Sequence, residues 1–277
     1  MYILHTISCR LDEGINTYEY AMYCQNDWKD FHHLAYWELV WCRVLQRQWK
    51  EASVMAQTLL DHNNWSKATY CYLLSTFIFE ENNGVATDEV VRLYKRVPDL
   101  KIRLAGKSIP LEKYAIKKCE HFLAQNWLFL PGLELLYLMN GFYILAYDSN
   151  RLNATLDIVN NALNDLQLHH TNDRFYIDSY GSGLLLRGVL LHFLHRYNQA
   201  HEAFDEIIRL AKKFDTKSFL APNALLEKGL IYLSLKQKQQ AIDYLHKSLN
   251  DYKDYQLESR LQFRINAAMQ KVKQMDN

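Results

Sequence analysis

The chain is poor in the residues that bend a backbone. Its 277 residues include only 9 Gly and 4 Pro, too few for a fold built on many tight turns, so helices joined by short polar links are expected. A cysteine framework is missing too. Cys9, Cys24, Cys42, Cys71 and Cys119 are odd in number, scattered, and form no CxxC pair. That pattern speaks against a zinc ribbon or a disulfide scaffold and fits a reducing, cytoplasmic location. Nor is there an excess of either charge: 32 Lys and Arg against 31 Asp and Glu leave +1, whereas nucleic-acid binding needs a basic face. The apolar start MYILHTISCR has no basic residue before it, unlike a signal peptide. The longest apolar candidate, NWLFLPGLELLYLMNGFYILAY over 126–147, is interrupted by Pro131, Gly132, Glu134 and Asn140. A carboxylate at mid-span costs roughly 2.5 to 3.5 kcal/mol on insertion, so a buried helix is expected there.

What the chain does have is apolar and aromatic material, with 19 Tyr and 6 Trp, ample for a packed interior. Apolar residues recur at three- and four-residue spacing almost throughout, the helical signature. Such a long helical pattern calls for a search for internal repeats. Two stretches align, SGLLLRGVLLHFLHRYNQAHEAFDEIIRLAKK from Ser182 and NALLEKGLIYLSLKQKQQAIDYLHKSLNDY from Asn223. Gly188 matches Gly229, Leu191 matches Tyr232, Ala200 matches Ala241 and Phe204 matches Leu245, each pair 41 positions apart, with 12 positions from glycine to alanine in both. Small residues at those places let two antiparallel helices approach closely, and the large residue four positions after the alanine fills the gap. These positions resemble the tetratricopeptide repeat, about 34 residues long, with the extra residues expected to extend helix and linker.

Weaker copies follow from the same template. Trp49 and Ala52 stand where Tyr197 and Ala200 stand, Arg151 and Ala154 match less well, and Leu11, Gly14 and Tyr18 look like the second helix of a further unit. The first helix of that unit would precede Met1, so the chain is expected to be a fragment or shortened form. The expected fold is an all-α solenoid of tetratricopeptide-like hairpins with irregular insertions, in a single helical-repeat domain over 1–277. Its parts are a truncated repeat (1–26), a degenerate repeat (28–62), irregular helices (63–126) holding a basic segment (92–118), a second degenerate repeat (130–167), two clearer repeats (181–214 and 222–253) and a capping helix (255–275). The cap, LESRLQFRINAAMQKVKQM, has the charged outer face that a terminal solenoid helix turns to water.

Three stretches carry a family likeness: WKDFHHLAYWELVWC (28–42), NNWSKATYCYL (63–73) and RLAGKSIPLEKYAIKK (103–118). On these the chain resembles the tetratricopeptide repeat protein 39 family, grouped with the inclusion-body clearance proteins. The last stretch is closest to its A and B members. Members are usually about twice as long, so the chain resembles a C-terminal half. The resemblance implies a non-catalytic helical-repeat adaptor that binds other proteins, linked to lipid metabolism or to clearance of aggregated protein. It supplies no catalytic residues and no cofactor.

The residues agree with that absence. In FHHLAYWELVWC, His32 and His33 point about 100° apart on a helix, and the residues three and four positions on from them offer no usual metal ligand. Glu38 and Cys42 are four apart but make only two groups. His192 and His195 lack a third ligand. AGKS at 105–108 has Lys101 where a phosphate-binding loop requires its first glycine, and no strand precedes it. No metal site is expected. Two surfaces are the candidate sites instead. The first is a concave partner-binding face formed by the first helix of each hairpin. Taking Gly188 and Gly229 as register marks, it comprises Leu185, Val189 and His192, then Leu226, Leu230 and Leu233, with Trp37 and Trp41 at the same offsets in the earlier unit. Its apolar character disfavours a lysine and asparagine clamp for a carboxylate and calls for a cover: the rest of a longer chain, a partner helix, or a lipid. The second surface is the segment 92–118, with nine basic and two acidic residues. Its candidates are Arg92, Lys95, Arg96, Lys101, Arg103 and Lys107, facing an acidic protein or an anionic membrane surface. Pairing with acidic neighbours in the fold is the alternative use of that charge. The competing function is accordingly a lipid or membrane-surface binding module.

Overall fold

A computed structural model describes residues 10–24, 29–104 and 106–276. The chain divides into two compact units, Met1–Arg151 and Leu152–Asn277. The described part of the first unit contains α1 (Leu11–Cys24), α2 (Asp30–Leu45), α3 (Trp49–His62), α4 (Lys67–Glu81), α5 (Asp88–Arg96), α6 (Pro110–Gln125), α7 (Pro131–Leu138) and the single turn α8 (Phe142–Leu145). Helix α9 (Ser149–His169) starts at its end and belongs mostly to the second unit, with α10 (Tyr176–Phe193), α11 (Tyr197–Leu210), α12 (Leu220–Ser234), α13 (Lys238–Asn250) and α14 (Glu258–Lys273). The fold is all-α, of solenoid type. Among the described residues the one departure is a two-stranded hairpin of β1 (Arg103–Leu104) and β2 (Lys107–Ser108), in which Arg103 faces Ser108 across the ladder.

Successive helices pack as hairpins. In the second unit α10 lies on α11 and α12 on α13, the later helix of each hairpin packs on the first helix of the next, and α10, α12 and α14 touch in sequence. The stated crossing logic holds, with one refinement. A Cβ on Gly188 would lie 2.5 Å from the ring of Phe204, and one on Gly229 3.0 Å from Leu245. The large residue therefore fills space over the glycine of its own hairpin, and a backbone without Cβ is what admits it.

The scarcity of glycine is met in an unexpected way. The turn inside each hairpin needs one residue in the left-handed region, usually glycine. Here Arg47, His195 and Lys236 occupy it, at φ 56°, 59° and 58°. Each is followed by the same closing bond: Gln48 N–H to Arg43 O, Arg196 N–H to Leu191 O, and Gln237 N–H to Tyr232 O, all 2.9 Å. These residues keep the 41-position spacing between the last two hairpins, and Arg47 lies two positions before Trp49 as His195 lies two before Tyr197. The turn geometry thus recurs where the sequence does not.

Elsewhere the termini are capped as side chains dictate. Ser66 accepts from Thr69 N–H at the start of α4, and Thr87 from Val90 N–H at the start of α5, each satisfying a donor that the helix cannot. Pro110 begins α6, where its missing N–H costs nothing. The apolar stretch 126–147 breaks into α7 and α8, and no helix among the described residues is long and apolar enough to cross a membrane. Glu134 is buried in α7, where Tyr114 donates to its carboxylate at 2.6 Å and Lys118 at 2.7 Å.

Candidate partner-binding surfaces

Helix α2 carries the aromatic stretch. Trp41 is buried and Trp37 half-buried, the two rings edge-on at 5.5 Å, with Trp37 also edge-on to Tyr70 of α4 at 6.2 Å. Cys42 is inside the core, where α2 packs on Ile15 and Tyr18 of α1. His33 Nδ1 lies 3.7 Å from Asp30. Burial raises the Glu38 carboxyl above its ordinary range. Among the described residues, no three His, Cys, Asp or Glu side chains gather in an arrangement that would hold a metal ion.

In the second unit the expected concave face is largely consumed by packing. Leu185, Val189, His192 and Leu226 are buried, and only Leu230 and Leu233 keep partial exposure. Helix α12 is buried all round over its first ten residues, which marks an interior element. His192 Nε2 lies 3.3 Å from Ser234 Oγ, and His195 Nδ1 2.8 Å from Tyr197 Oη. Helix α10 ends at Phe193, so the two histidines do not share a helical face, and each has its own hydroxyl neighbour. Desolvation lowers the His192 pKa, leaving it neutral at pH 7.

Sequence reasoning missed the polar interior of this unit. On α12, Glu227 accepts from Arg264 of α14 at 2.6 Å, and Asn223, one turn earlier, accepts from the same guanidinium at 3.5 Å. The next residue, Lys228, points the other way, to Asp205 of α11, and lies over the Tyr244 ring at 4.7 Å. Glu227 and Lys228 are both buried. The signal was present: three polar residues stand in the otherwise apolar stretch NALLEKGL.

The basic segment is arranged differently. Arg92, Lys95 and Arg96 are spaced three and four apart on α5, on one face, and all three are exposed, while Val90, Leu93 and Tyr94 face the core. Lys101 and Arg103 are exposed at the base of the β1–β2 hairpin and Lys113 in the first turn of α6. The side chain of Lys107 lies outside the described residues. Among the described residues, no carboxylate pairs with Arg92, Lys95, Arg96, Lys101, Arg103 or Lys113. Lys117 and Lys118, further along, do pair, with Glu120 and Glu134. Of the segment's two acids Asp99 is exposed and Glu112 fully buried, the two oxygens of Glu112 accepting from Ser66 Oγ at 2.7 Å and from Ile102 N–H at 3.2 Å. Glu112 therefore fastens the hairpin base to the start of α4. Directly before Ser66 stands Trp65, 51% exposed.

Comparison with known proteins places these features in a family. The sequence model described as Iml2/Tetratricopeptide repeat protein 39 matches residues 3–194. The chain is 32% identical over 266 residues to tetratricopeptide repeat protein ttc-39B of Caenorhabditis elegans. That alignment takes in 95% of this chain and 45% of the relative, so the chain spans less than half the relative's length. No solved structure matches.

Proposed function

Because the chain belongs to the Iml2/tetratricopeptide repeat protein 39 family, we propose that it is a non-catalytic helical-repeat adaptor that brings other proteins together. One observation carries this reading: the buried carboxylates and the buried lysine are spent on joining elements of the fold to one another. Glu227 binds Arg264, Lys228 binds Asp205, Glu134 takes Tyr114 and Lys118, and Glu112 takes Ser66 and Ile102. Catalytic sites instead hold such groups poised in a cleft. A helical array with its charges used this way offers surface and shape. Its partners are other proteins, the remainder of a longer family member among them. The finer assignments, a cytoplasmic location and a place in lipid metabolism or in clearance of aggregated protein, rest on the family resemblance.

Of the residues expected to meet a partner, Trp37 in the first unit and Leu230 and Leu233 in the second are half-buried, and each is where a partner of its own unit would register first. Proximity labelling in cells is expected to show a discrete set of neighbours that shrinks for Trp37→Ala/Leu233→Ala while circular dichroism stays unchanged. Turnover of any substrate that one polar substitution abolishes would overturn the reading.

The second reading, lipid or membrane-surface binding, divides on this geometry. Its apolar groove is mostly filled by the protein's own helices, whereas its basic segment stays open.

A further inference from the structure

We propose that the open basic face of the first unit, running from Arg92 to Lys113, docks on an anionic lipid bilayer with Trp65 seated at the headgroup level. This deepens the lipid-surface reading and is independent of the adaptor reading.

Three observations combine. The first is the state of the cations. Residues 1–91 carry twelve acids against six bases, so internal neutralisation of the basic segment was available. It does not occur for the six exposed cations of α5, the hairpin and the first turn of α6. Cations elsewhere in the same unit do find carboxylates: Arg10 with Glu13 at 3.0 Å, Arg43 with Glu19 at 3.3 Å, Lys117 with Glu120 at 3.5 Å. The second is the removal of one of the segment's two acids. Glu112 is turned inward and consumed by Ser66 and Ile102, leaving Asp99 as the exposed acid between Arg92 and Lys113.

The third is the tryptophan. Trp65 directly precedes Ser66, and the bonds from Ser66 through Glu112 to Ile102 tie that stretch of backbone to the one carrying Lys101 and Arg103, although 36 positions separate Trp65 from Lys101 in sequence. Half of this large ring is in water. Tryptophan partitions to the bilayer–water interface, where its ring is shielded and its N–H stays wet, and clustered Lys and Arg are drawn to anionic headgroups. The cations are spread over three elements and tied to no fixed partner. That arrangement suits headgroups that move laterally to meet them better than it suits a fixed pattern of carboxylates. No described helix can cross a membrane, so the contact is peripheral and screened by salt.

Flotation of the whole chain with vesicles tests this. The chain is expected to float with phosphatidylcholine vesicles that contain phosphatidylserine, not with phosphatidylcholine alone, and to be released at high salt. The variant Lys95→Gln/Lys101→Gln/Arg103→Gln is expected to lose roughly a hundredfold in affinity, at about fivefold for each cation removed, with an unchanged circular dichroism spectrum. Trp65→Phe is expected to lose fluorescence quenching by lipids brominated near the headgroup. Equal flotation of the wild type and the triple variant overturns the proposal, as does stoichiometric release by free inositol phosphates, which would mark a single-phosphate site. Binding to neutral lipid alone also overturns it, yet leaves the broader lipid reading standing; no lipid binding of any kind sinks both. Capture of polyglutamate without vesicle binding would assign the face to an acidic protein.

Discussion

In the second unit the large side chain at each hairpin crossing comes from the later helix, with Phe204 over Gly188 and Leu245 over Gly229. At the same positions of the first unit the sizes are exchanged: Val40 stands on the earlier helix and Ala56 on the later, both fully buried. Combined volume is what the crossing demands, since an interior tolerates swaps that conserve it. The units differ as well in how they hold buried polarity. The first uses hydroxyls and backbone N–H groups on the carboxylates of Glu112 and Glu80, and adds Lys118 to Tyr114 at Glu134. The second uses opposite charges on facing helices. Among these carboxyls, burial pushes that of Glu80 up to about 7, which ties the stability of the first unit to pH at that point.

The contrast can be broken most forcefully at the crossing. Phe204→Ala removes a ring that only a bare glycine accommodates and should cost about 3 to 5 kcal/mol, read from the urea midpoint. Restoring the exchanged arrangement with Gly188→Val/Phe204→Ala should recover part of that loss. If it recovers none, the volume argument fails.

The charge pairs come next. Glu227→Ala takes the charged partner from a largely buried guanidinium, leaving Asn223 as its acceptor on α12, and should cost about 3 kcal/mol. The double change Glu227→Leu/Arg264→Met should lie much closer to wild type in the same melt, because an apolar pair can replace a buried ionic one. Equal destabilisation by both would mean that Arg264 has other essential acceptors.

Glu80 tests the first unit. Its carboxylate accepts from Gly132 N–H at 2.7 Å at the start of α7, and desolvation pushes its pKa up to about 7. The folded chain holds this proton more tightly than the unfolded chain does. Its contribution is therefore complete at pH below the ordinary carboxylate range and is lost as pH rises toward about 7. After allowance for the residue's partial exposure, the slope should amount to on the order of 1 kcal/mol. Glu80→Gln should flatten it between pH 5 and 7.5 in denaturant titrations, while substitutions in the second unit leave it intact.

The smallest effect separates two kinds of glycine. Gly106 turns the β1–β2 hairpin at φ 78° with open space around it, so Gly106→Ala should cost only about 1 kcal/mol of backbone strain. Gly188→Ala meets the Phe204 ring instead and should cost about 1 to 3 kcal/mol. Thermal melts of the two single variants rank them directly.

How much of this was legible follows the same division. Helical class, the glycine-to-alanine spacing and the start of α6 at Pro110 could be read because small residues and proline have few reasons to stand where they do. The hairpin turns could not, since Arg47, His195 and Lys236 adopt a conformation that their side chains do not advertise. The residues expected on the inner face fall on α2, α10 and α12, yet periodicity alone does not say which apolar side is covered, and Leu185, Val189 and Leu226 turn out to be interior. The basic segment was plain as composition. That its cations stay unpaired, and that the backbone next to Trp65 is tied to theirs, depends on Glu112 reaching two places far apart in the chain, which local spacing does not encode.

Helix α12 carries a further consequence. Its neighbours Glu227 and Lys228 are held from opposite sides, by Arg264 on α14 and Asp205 on α11. Rolling the helix about its own axis in either direction stretches one of these ties. The element therefore has no soft torsional mode, and a pull applied to α14 is handed on to α11 as a load.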